Sequence, residues 1–393
     1  MTATDLPQGM TRDTISLLLG HPDPATLLTD EFQAAMQNAM NQPRSYAALQ
    51  YGPEQGTPRL IQFLVGRLNR EQQLTLQPDQ VMIVAGATHA VDMIARLYAR
   101  PGGVVLVEAP TYADSIHIFR DHQIDLRAVP MDEHGLLIPE LERQLAALKG
   151  EGKSPAFLYT IPNFHNPTGI TTSEARRIEV IRLAHQYGFL IVEDDVYREL
   201  SFEGIVPRSY YALANGEGVL SIGSFSKTLA PGLRLGWLVG STGAIQRFVN
   251  CGTTQMGGGA NPFAAHIVAE YCCEGYWEAH IARLRALYRQ RCDVALSALR
   301  EYMPKGVTWT QPEGGFFLWL TLPQSVLAQP VKQAALRNGV LVAAGNGFFV
   351  KPDDGDHNLR LAFSFAAPAD IEAGIRILGQ VIGQLSTSKV AQP

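Results

Sequence analysis

Four cysteines in 393 residues (Cys251, Cys272, Cys273 and Cys292) are too few to staple a fold, and none stands in a C-x-x-C pair. This excludes a disulfide framework and a dithiol redox or zinc-finger spacing, and the thiols read as free and buried. No apolar run reaches the roughly 18 residues that a membrane-spanning helix needs. The polar opening Met1–Arg12 lacks the apolar core of a secretory signal. Positive charge is not in excess: 32 Lys and Arg against 37 Asp and Glu give a formal net charge of −5. Such a chain has no bulk attraction to nucleic acid or to an anionic membrane, and a cytoplasmic protein without either partner is expected.

Familiar site patterns are missing as well. Gly223 to Thr228 ends in Lys-Thr, but Ser226 stands where a P-loop requires glycine before the lysine. Gly257 and Gly259 open a G-x-G, yet Pro262 occupies the third glycine position of the dinucleotide fingerprint. Neither G-x-S-x-G nor H-E-x-x-H occurs, and the ten histidines are scattered without ligand spacing, so no metal site is expected.

What is present is enough to build a large core, with 46% hydrophobic and 18% charged residues. The length predicts about two or three domains. Short apolar runs alternate with amphipathic stretches from about residue 50 to residue 285. Val81–Val84, Val104–Val107, Ala156–Tyr159, Phe189–Val192 and Gly218–Ile222 read as strands. Helices are expected over Thr88–Arg100, Tyr112–Asp121 and Ser173–Tyr187. Near-continuous apolar strands need cover on both faces, which predicts an α/β class with a three-layer α/β/α arrangement around a mostly parallel sheet. Beyond residue 285 comes a long charged helix, Ile281–Tyr302. Val307–Thr310, Phe316–Leu320, Val340–Ala343 and Leu359–Phe365 then alternate like strands of an antiparallel sheet. The expected division is a large domain over 50–285 and a smaller α+β domain from 1–49 with 286–393. Ser386–Pro393 is a small polar tail expected to fray.

Three segments carry candidate chemistry. In Ser224-Phe225-Ser226-Lys227-Thr228, a lone lysine follows an apolar strand between hydroxyl residues, with Arg234 seven positions on. The serines and the arginine suit a phosphate, and the amine can attack an aldehyde carbon. Asn166, in Asn-Pro-Thr-Gly, follows the Ala156–Tyr159 strand, although such a tetrapeptide alone is a turn. Asp194, Asp195 and Tyr197 lie at the end of the Phe189–Val192 strand, where acids otherwise cap helices or face water.

In this order, Asn-Pro-x-Gly, Asp-x-x-Tyr and Ser-x-Ser-Lys with a downstream arginine, the segments resemble fold-type I pyridoxal-phosphate enzymes, the class I/II aminotransferases of the aspartate aminotransferase superfamily. The branch with 2-aminoadipate aminotransferases and MocR-type regulators is the most similar. The resemblance implies that Lys227 binds the cofactor aldehyde as a Schiff base and later moves the substrate α-proton. It implies that Asp194 pairs with the pyridine nitrogen, Asp195 pointing to the other face, and that Tyr197 and Asn166 donate to the ring oxygen. The phosphate would lie on Gly86, Ala87 and Thr88 at a helix start, with Ser224, Ser226 and Arg234. Ala87 and Thr88 depart from the Ser-Gln common there, leaving the backbone contacts. Tyr112 would stack on the ring, Arg360 with Asn166 would grip the α-carboxylate, and Tyr51 would reach the neighbouring subunit's phosphate, which implies a homodimer with shared sites. Tyr112 alone would read as core, and Arg360 alone as an edge residue.

The implied activity is transamination between an amino acid and a 2-oxo acid, 2-oxoglutarate foremost, by a ping-pong route. A lyase or decarboxylase is the alternative on the same cofactor. A MocR-like ligand-sensing module is a second alternative, disfavoured by the few residues before Ile15 and by the negative charge. His165 and His89 read as packed residues near the cofactor. Arg44 is a candidate for a distal substrate carboxylate or a solvated side chain. Gly257-Gly258-Gly259 is expected to form a loop near a dimer interface.

Overall fold

The structure, a computed structural model, describes residues 14–43 and 45–388; Met1–Arg12 and the Arg44 candidate lie outside the described residues. An eight-stranded sheet forms the centre, in the order 81–84, 236–239, 219–224, 190–194, 155–160, 104–109, 125–132, 135–136. The strands 104–109, 125–132, 155–160, 190–194 and 219–224 pair in parallel, whereas 135–136 is antiparallel to 125–132 and Gly236–Val239 runs antiparallel to both of its neighbours.

Both faces are buried, and the alternation of side chains shows why. Along Val81–Val84, Met82 and Val84 enter one core cluster while Val81 and Ile83 enter the other. Val105 and Val107 pack with Phe119 on the first face; Val104 and Leu106 pack with Leu141 and Val180 on the second. The helix Glu174–Tyr187 illustrates how covering elements are bounded: Ser173 accepts from the Arg176 N–H at its start, and Gly188 ends it at φ +71°. Phe119 adds edge-on ring contacts to Phe157 and Tyr159 within the first cluster.

A second sheet, antiparallel, runs in the order 308–309, 317–321, 358–362, 343–344. Helices Tyr276–Tyr302 and Pro368–Ser388 pack against each other beside it. The segment expected as one strand, Val340–Ala343, is split. Val340–Leu341 pairs in parallel with Ile15–Ser16, and Ala343–Ala344 joins the antiparallel sheet. The chain's beginning is thus stitched to its last third by main-chain hydrogen bonds.

Other expectations change in detail. The long helix begins at Tyr276 and runs unbroken through position 285, where the sequence texture changes. Asp125–Asp132 is an unanticipated strand; its half-buried place near the sheet edge allows the mixed sequence DLRAVPMD that hides it from an apolar pattern. Leu359–Phe365 ends as a strand at Ala362, and Ser386–Ser388 belong to the last helix. Only Cys272 and Cys292 are buried; Cys273 is exposed and Cys251 half-buried. Among the described residues no helix is long and apolar enough to cross a membrane, and no group of His, Cys, Asp and Glu could hold a metal ion.

Gly223 and Trp237 face each other across two neighbouring strands, and a Cβ at Gly223 would lie 2.0 Å from the indole. Gly223→Ala is therefore expected to destabilise the protein by about 1–3 kcal/mol through overpacking. Calorimetry would show it as a lowered Tm, and an unchanged Tm would contradict this packing.

Candidate active site

Parallel strands end on one edge, and that edge collects the candidate residues. Gly86 follows the strand ending at Val84, Tyr112 the one ending at Ala109, and Asn166 the one ending at Thr160. Asp194 closes its own strand, with Tyr197 three residues on; Ser224 closes another and leads to Ser226 and Lys227. The antiparallel strand begins at Gly236 on the same edge, which brings Arg234 there from the opposite chain direction. Arg360 arrives from the antiparallel sheet, on Asn358–Ala362.

A cavity of about 400 Å³ opens between them. Lys227, Asp194, Tyr197, Asn166 and Arg360 line it. So do Ala87, Thr88, Tyr112, Ser224, Ser226 and Arg234. Gly86 stands directly behind, at φ +86°, where a Cβ would come within 2.9 Å of the Arg234 guanidinium. Tyr51 is not brought here. It is 89% exposed and lines a separate cavity of about 450 Å³ with Gly257, Gly259 and Pro262.

The Lys227 amine donates to the Gly20 carbonyl at 3.2 Å and lies 5.8 Å from the Tyr197 ring centre. Enclosure first, and the nearby Arg360 charge second, lower its pKa to about 8, against the opposite pull of Asp194. Asp194 accepts from the Tyr159 hydroxyl at Oδ2, 2.6 Å away, while Oδ1 is buried without a partner. Burial raises its pKa to about 6; the Tyr159 hydrogen bond and Lys227 oppose the rise, and Asp195 adds to it. Asp195 itself faces away and accepts from Asn163 Nδ2 at 2.6 Å and Arg198 Nη1 at 3.2 Å. The Tyr197 phenol is pushed up chiefly by burial, its ring edge-on to Phe316 and Phe317. Tyr112 donates to Asp114 Oδ2 at 2.5 Å.

Arg360 donates from Nη1 to Asn166 Oδ1 (3.0 Å) and from Nη2 to the Leu18 carbonyl (2.8 Å). Its guanidinium lies over Phe317 at 4.4 Å and Phe348 at 4.9 Å. Among the described residues no carboxylate pairs with it, and its Nε is buried without a partner. Burial lowers its pKa to about 10. A cation held by neutral groups at a cavity wall is a ready receptor for an incoming anion.

Pyridoxal phosphate fits this set of donors. The helix Ala87–Tyr98 presents its amino end to the cavity, and Arg234, held at φ +49°, stands beside Gly86, so a phosphate has both backbone N–H groups and a cation. Ser224 Oγ accepts from the Ser226 N–H at 3.0 Å, keeping the two hydroxyl residues together. The unpartnered Asp194 Oδ1 has room for a protonated ring nitrogen, and the lysine amine lies across the cavity for the aldehyde.

The two flagged histidines do not line the cavity. His89 turns back to accept from the Ala85 N–H at 3.2 Å, and His165 is fully buried behind the wall. Sequence reasoning missed Tyr159, Asp114 and Phe317, which line it together with His21. A hydroxyl on an otherwise apolar strand was the available signal for Tyr159. His21 is held there by Ser364 donating to its carbonyl (2.8 Å) and by Ala362 donating to Leu17 (2.7 Å).

Residues 15–378 match the family Aminotransferase class I and II. Aromatic-amino-acid aminotransferase 1 of Thermococcus litoralis is 34% identical over 372 residues, covering 95% of this chain and 88% of that protein. The solved kynurenine aminotransferase of Pyrococcus horikoshii, in complex with PMP, superposes with a TM-score of 0.90 at 35% identity, over 95% of this chain and 92% of that one. LysN, the alpha-aminoadipate aminotransferase of Thermus thermophilus, complexed with N-(5'-phosphopyridoxyl)-L-leucine, gives 0.86 at 30% identity, over 96% and 94%. With the family matched along nearly its whole length and the cofactor's donors gathered in one cavity, the chain belongs to the class I and II aminotransferases, pyridoxal-phosphate enzymes of fold type I.

Proposed function

We propose that this aminotransferase works through the following residues, and that Arg360 is the observation that decides the reaction. An arginine with no internal anion, beside Asn166 and across the cavity from Lys227, is suited to hold a substrate α-carboxylate. A carboxylate held there is not the bond to be broken, which favours transamination over decarboxylation on the same cofactor. The bound cofactor supplies an aldehyde for the amino group and a ring that accepts the electrons of the broken Cα–H bond. Lys227 Nζ takes the α-proton and returns it one position along. An amine with a lowered proton affinity does this near neutral pH.

Asp194 Oδ1 would hold the proton of the ring nitrogen, and Tyr159 keeps that carboxylate oriented through Oδ2. Tyr197 and Asn166 Nδ2, which line the cavity, would donate to the ring oxygen, while Gly86, Ala87, Thr88, Ser224, Ser226 and Arg234 would hold the phosphate. Tyr112 covers one ring face. A 2-oxo acid then takes the amino group at the same Arg360, so donor and acceptor alternate in one site. The large domain over 50–285 would carry the cofactor, and the segments 1–49 and 286–393 the Arg360 side.

A second copy of the chain completes the assembly in this reading. Tyr51 (89% exposed), Leu49 (74%), Tyr46 (66%) and Met256 (86%) are large apolar side chains left open, and Leu49 and Tyr51 line one cavity with Gly257, the neighbour of Met256. Two copies joined there would bring Tyr51 of each toward the partner's phosphate.

Four outcomes are expected. Lys227→Ala should lose the visible absorbance of the bound cofactor under amino-acid exchange and lower kcat on the order of 10²–10⁴-fold; retained turnover would end the assignment. The rate at which apoprotein takes up pyridoxal phosphate should rise with pH to a midpoint near 8, because only the neutral amine attacks. Arg360→Met removes a cation that disfavours the lysine's proton, so the midpoint should move upward. In sedimentation the protein should run as a dimer, with Tyr51→Ala weakening cofactor retention; a tightly loaded monomer would contradict the shared site.

A further inference from the structure

Behind the cavity wall lies a buried acid that the proposed mechanism does not use. Glu108 is 1% exposed and His165 is 0% exposed. Glu108 Oε1 accepts from the Thr160 hydroxyl at 2.5 Å, and Oε2 accepts from the Ile161 N–H at 2.9 Å. Nε2 of His165 lies 3.0 Å from Oε2, close enough for an ion pair but off the line of a well-formed hydrogen bond. Among the described residues no lysine or arginine pairs with Glu108. A buried carboxylate supported only by neutral donors and one imidazole is held at a cost, so the arrangement calls for a reason.

The other side of the ring assigns its charge. Nδ1 lies 2.9 Å from Thr168 Oγ1 and accepts from the Thr168 N–H at 3.4 Å. An imidazole that accepts at Nδ1 carries its single proton on Nε2 and is neutral. Glu108 and His165 together therefore carry one buried negative charge. The main chain of His165 also closes the turn that bears Asn166: its N–H donates to the Ile170 carbonyl at 2.9 Å, and its carbonyl accepts from the Gly169 N–H at 2.6 Å. Glu108 stands four residues before Tyr112. The pair thus joins the strand end leading to Tyr112 with the turn leading to Asn166.

Its charge faces the site through Tyr159 and Asp194, and Glu108 helps to raise both of their pKa values. The other charged or titratable groups on this side are Tyr112, Tyr197, Glu193, Asp195, Tyr210, Lys227, Arg177 and Arg198. Arg177 is occupied by the Thr172, Pro162 and Arg208 carbonyls and by Asn163 Oδ1, and none of the group cancels Glu108 directly.

We propose that Glu108 and His165 act as one positioning pair, fixing Asn166 relative to Tyr112 and supplying a buried negative charge that holds the proton of the Asp194–cofactor contact. The proposal rests on the residue roles given above. A negative charge favours the protonated state of whatever it faces, so its removal has a defined sign.

The test is a pH titration of the visible absorbance of holoenzyme, with kcat and KM measured for one amino donor that converts. Glu108→Gln, which keeps size and loses charge, should move the absorbance midpoint down by about 0.5–1 pH unit. His165→Gln, neutral for neutral, should leave the midpoint within about 0.2 unit. His165→Leu, which leaves Glu108 and Thr168 without their partner, should raise KM about 5–10-fold with a smaller change in kcat, and His165→Gln should restore most of it. Melting curves of each holoprotein identify a variant that has not folded; Glu108→Met and Thr168→Val then serve as replacements for the midpoint and for KM. An unmoved midpoint in folded Glu108→Gln, or an unchanged KM in folded His165→Leu, overturns the proposal. Cofactor found on a lysine other than Lys227 in wild type would instead overturn the site assignment itself.

Discussion

A carboxylate buried with only one of its oxygens bonded is an unfavourable thing to build, and Asp194 is such a group. Oδ2 has the Tyr159 hydroxyl, Oδ1 has nothing, and burial has already raised the acid's pKa to about 6. In the function proposed above, a protonated ring nitrogen would meet that free oxygen, and the fold would hold a charge ready for its partner. Much of the local structure serves this one orientation. The strand Leu190–Asp194 is flanked by parallel neighbours on both sides, which fixes its direction and sends Asp194 to one face and Asp195 to the other. Tyr159, on the next strand, has its ring locked edge-on against Phe119. Asp195 is satisfied separately by Asn163 and Arg198, so the two adjacent acids do not compete for one partner.

Much of this was readable from the letters, and the limit is physical. Strand ends at apolar runs announce where chemistry-bearing residues will gather, because parallel strands share an edge; Lys227, Asp194 and Asn166 were found that way. Arg360 could be reached only through resemblance, since an arginine in an apolar strand has no pattern of its own; Tyr51, named the same way, lies outside the cavity. What stayed hidden depends on contacts between distant parts of the chain. Asp125–Asp132 has no apolar run because its sheet position is only partly covered. Val340–Ala343 looks like one strand, and it divides because Ile15–Ser16 arrives to claim its first half. Glu108, in the run Val104–Ala109, gives no sign in sequence that it will meet His165.

The chain's beginning also explains how two cations can share one small cavity without separating. Burial lowers the hold of both Lys227 and Arg360 on their protons, Arg360 adds to the fall at Lys227, and neither is neutralised by an internal acid at contact distance. Both are bonded instead to main-chain carbonyls of one short segment, Gly20 for the lysine and Leu18 for the arginine. Carbonyl dipoles offset part of a positive charge without forming an ion pair that a substrate carboxylate would have to break. That segment is fixed at both ends. Leu17 accepts from the Ala362 N–H at 2.7 Å, and the Asp23 carboxylate is joined to the buried Arg291. The Asp23 N–H in turn bonds the Tyr288 hydroxyl at 3.2 Å. A loop would be free to follow the cations and quench them. A segment tied to the antiparallel sheet and to the long helix can only present its carbonyls at a set distance, which leaves each cation partly satisfied and still able to accept an anion.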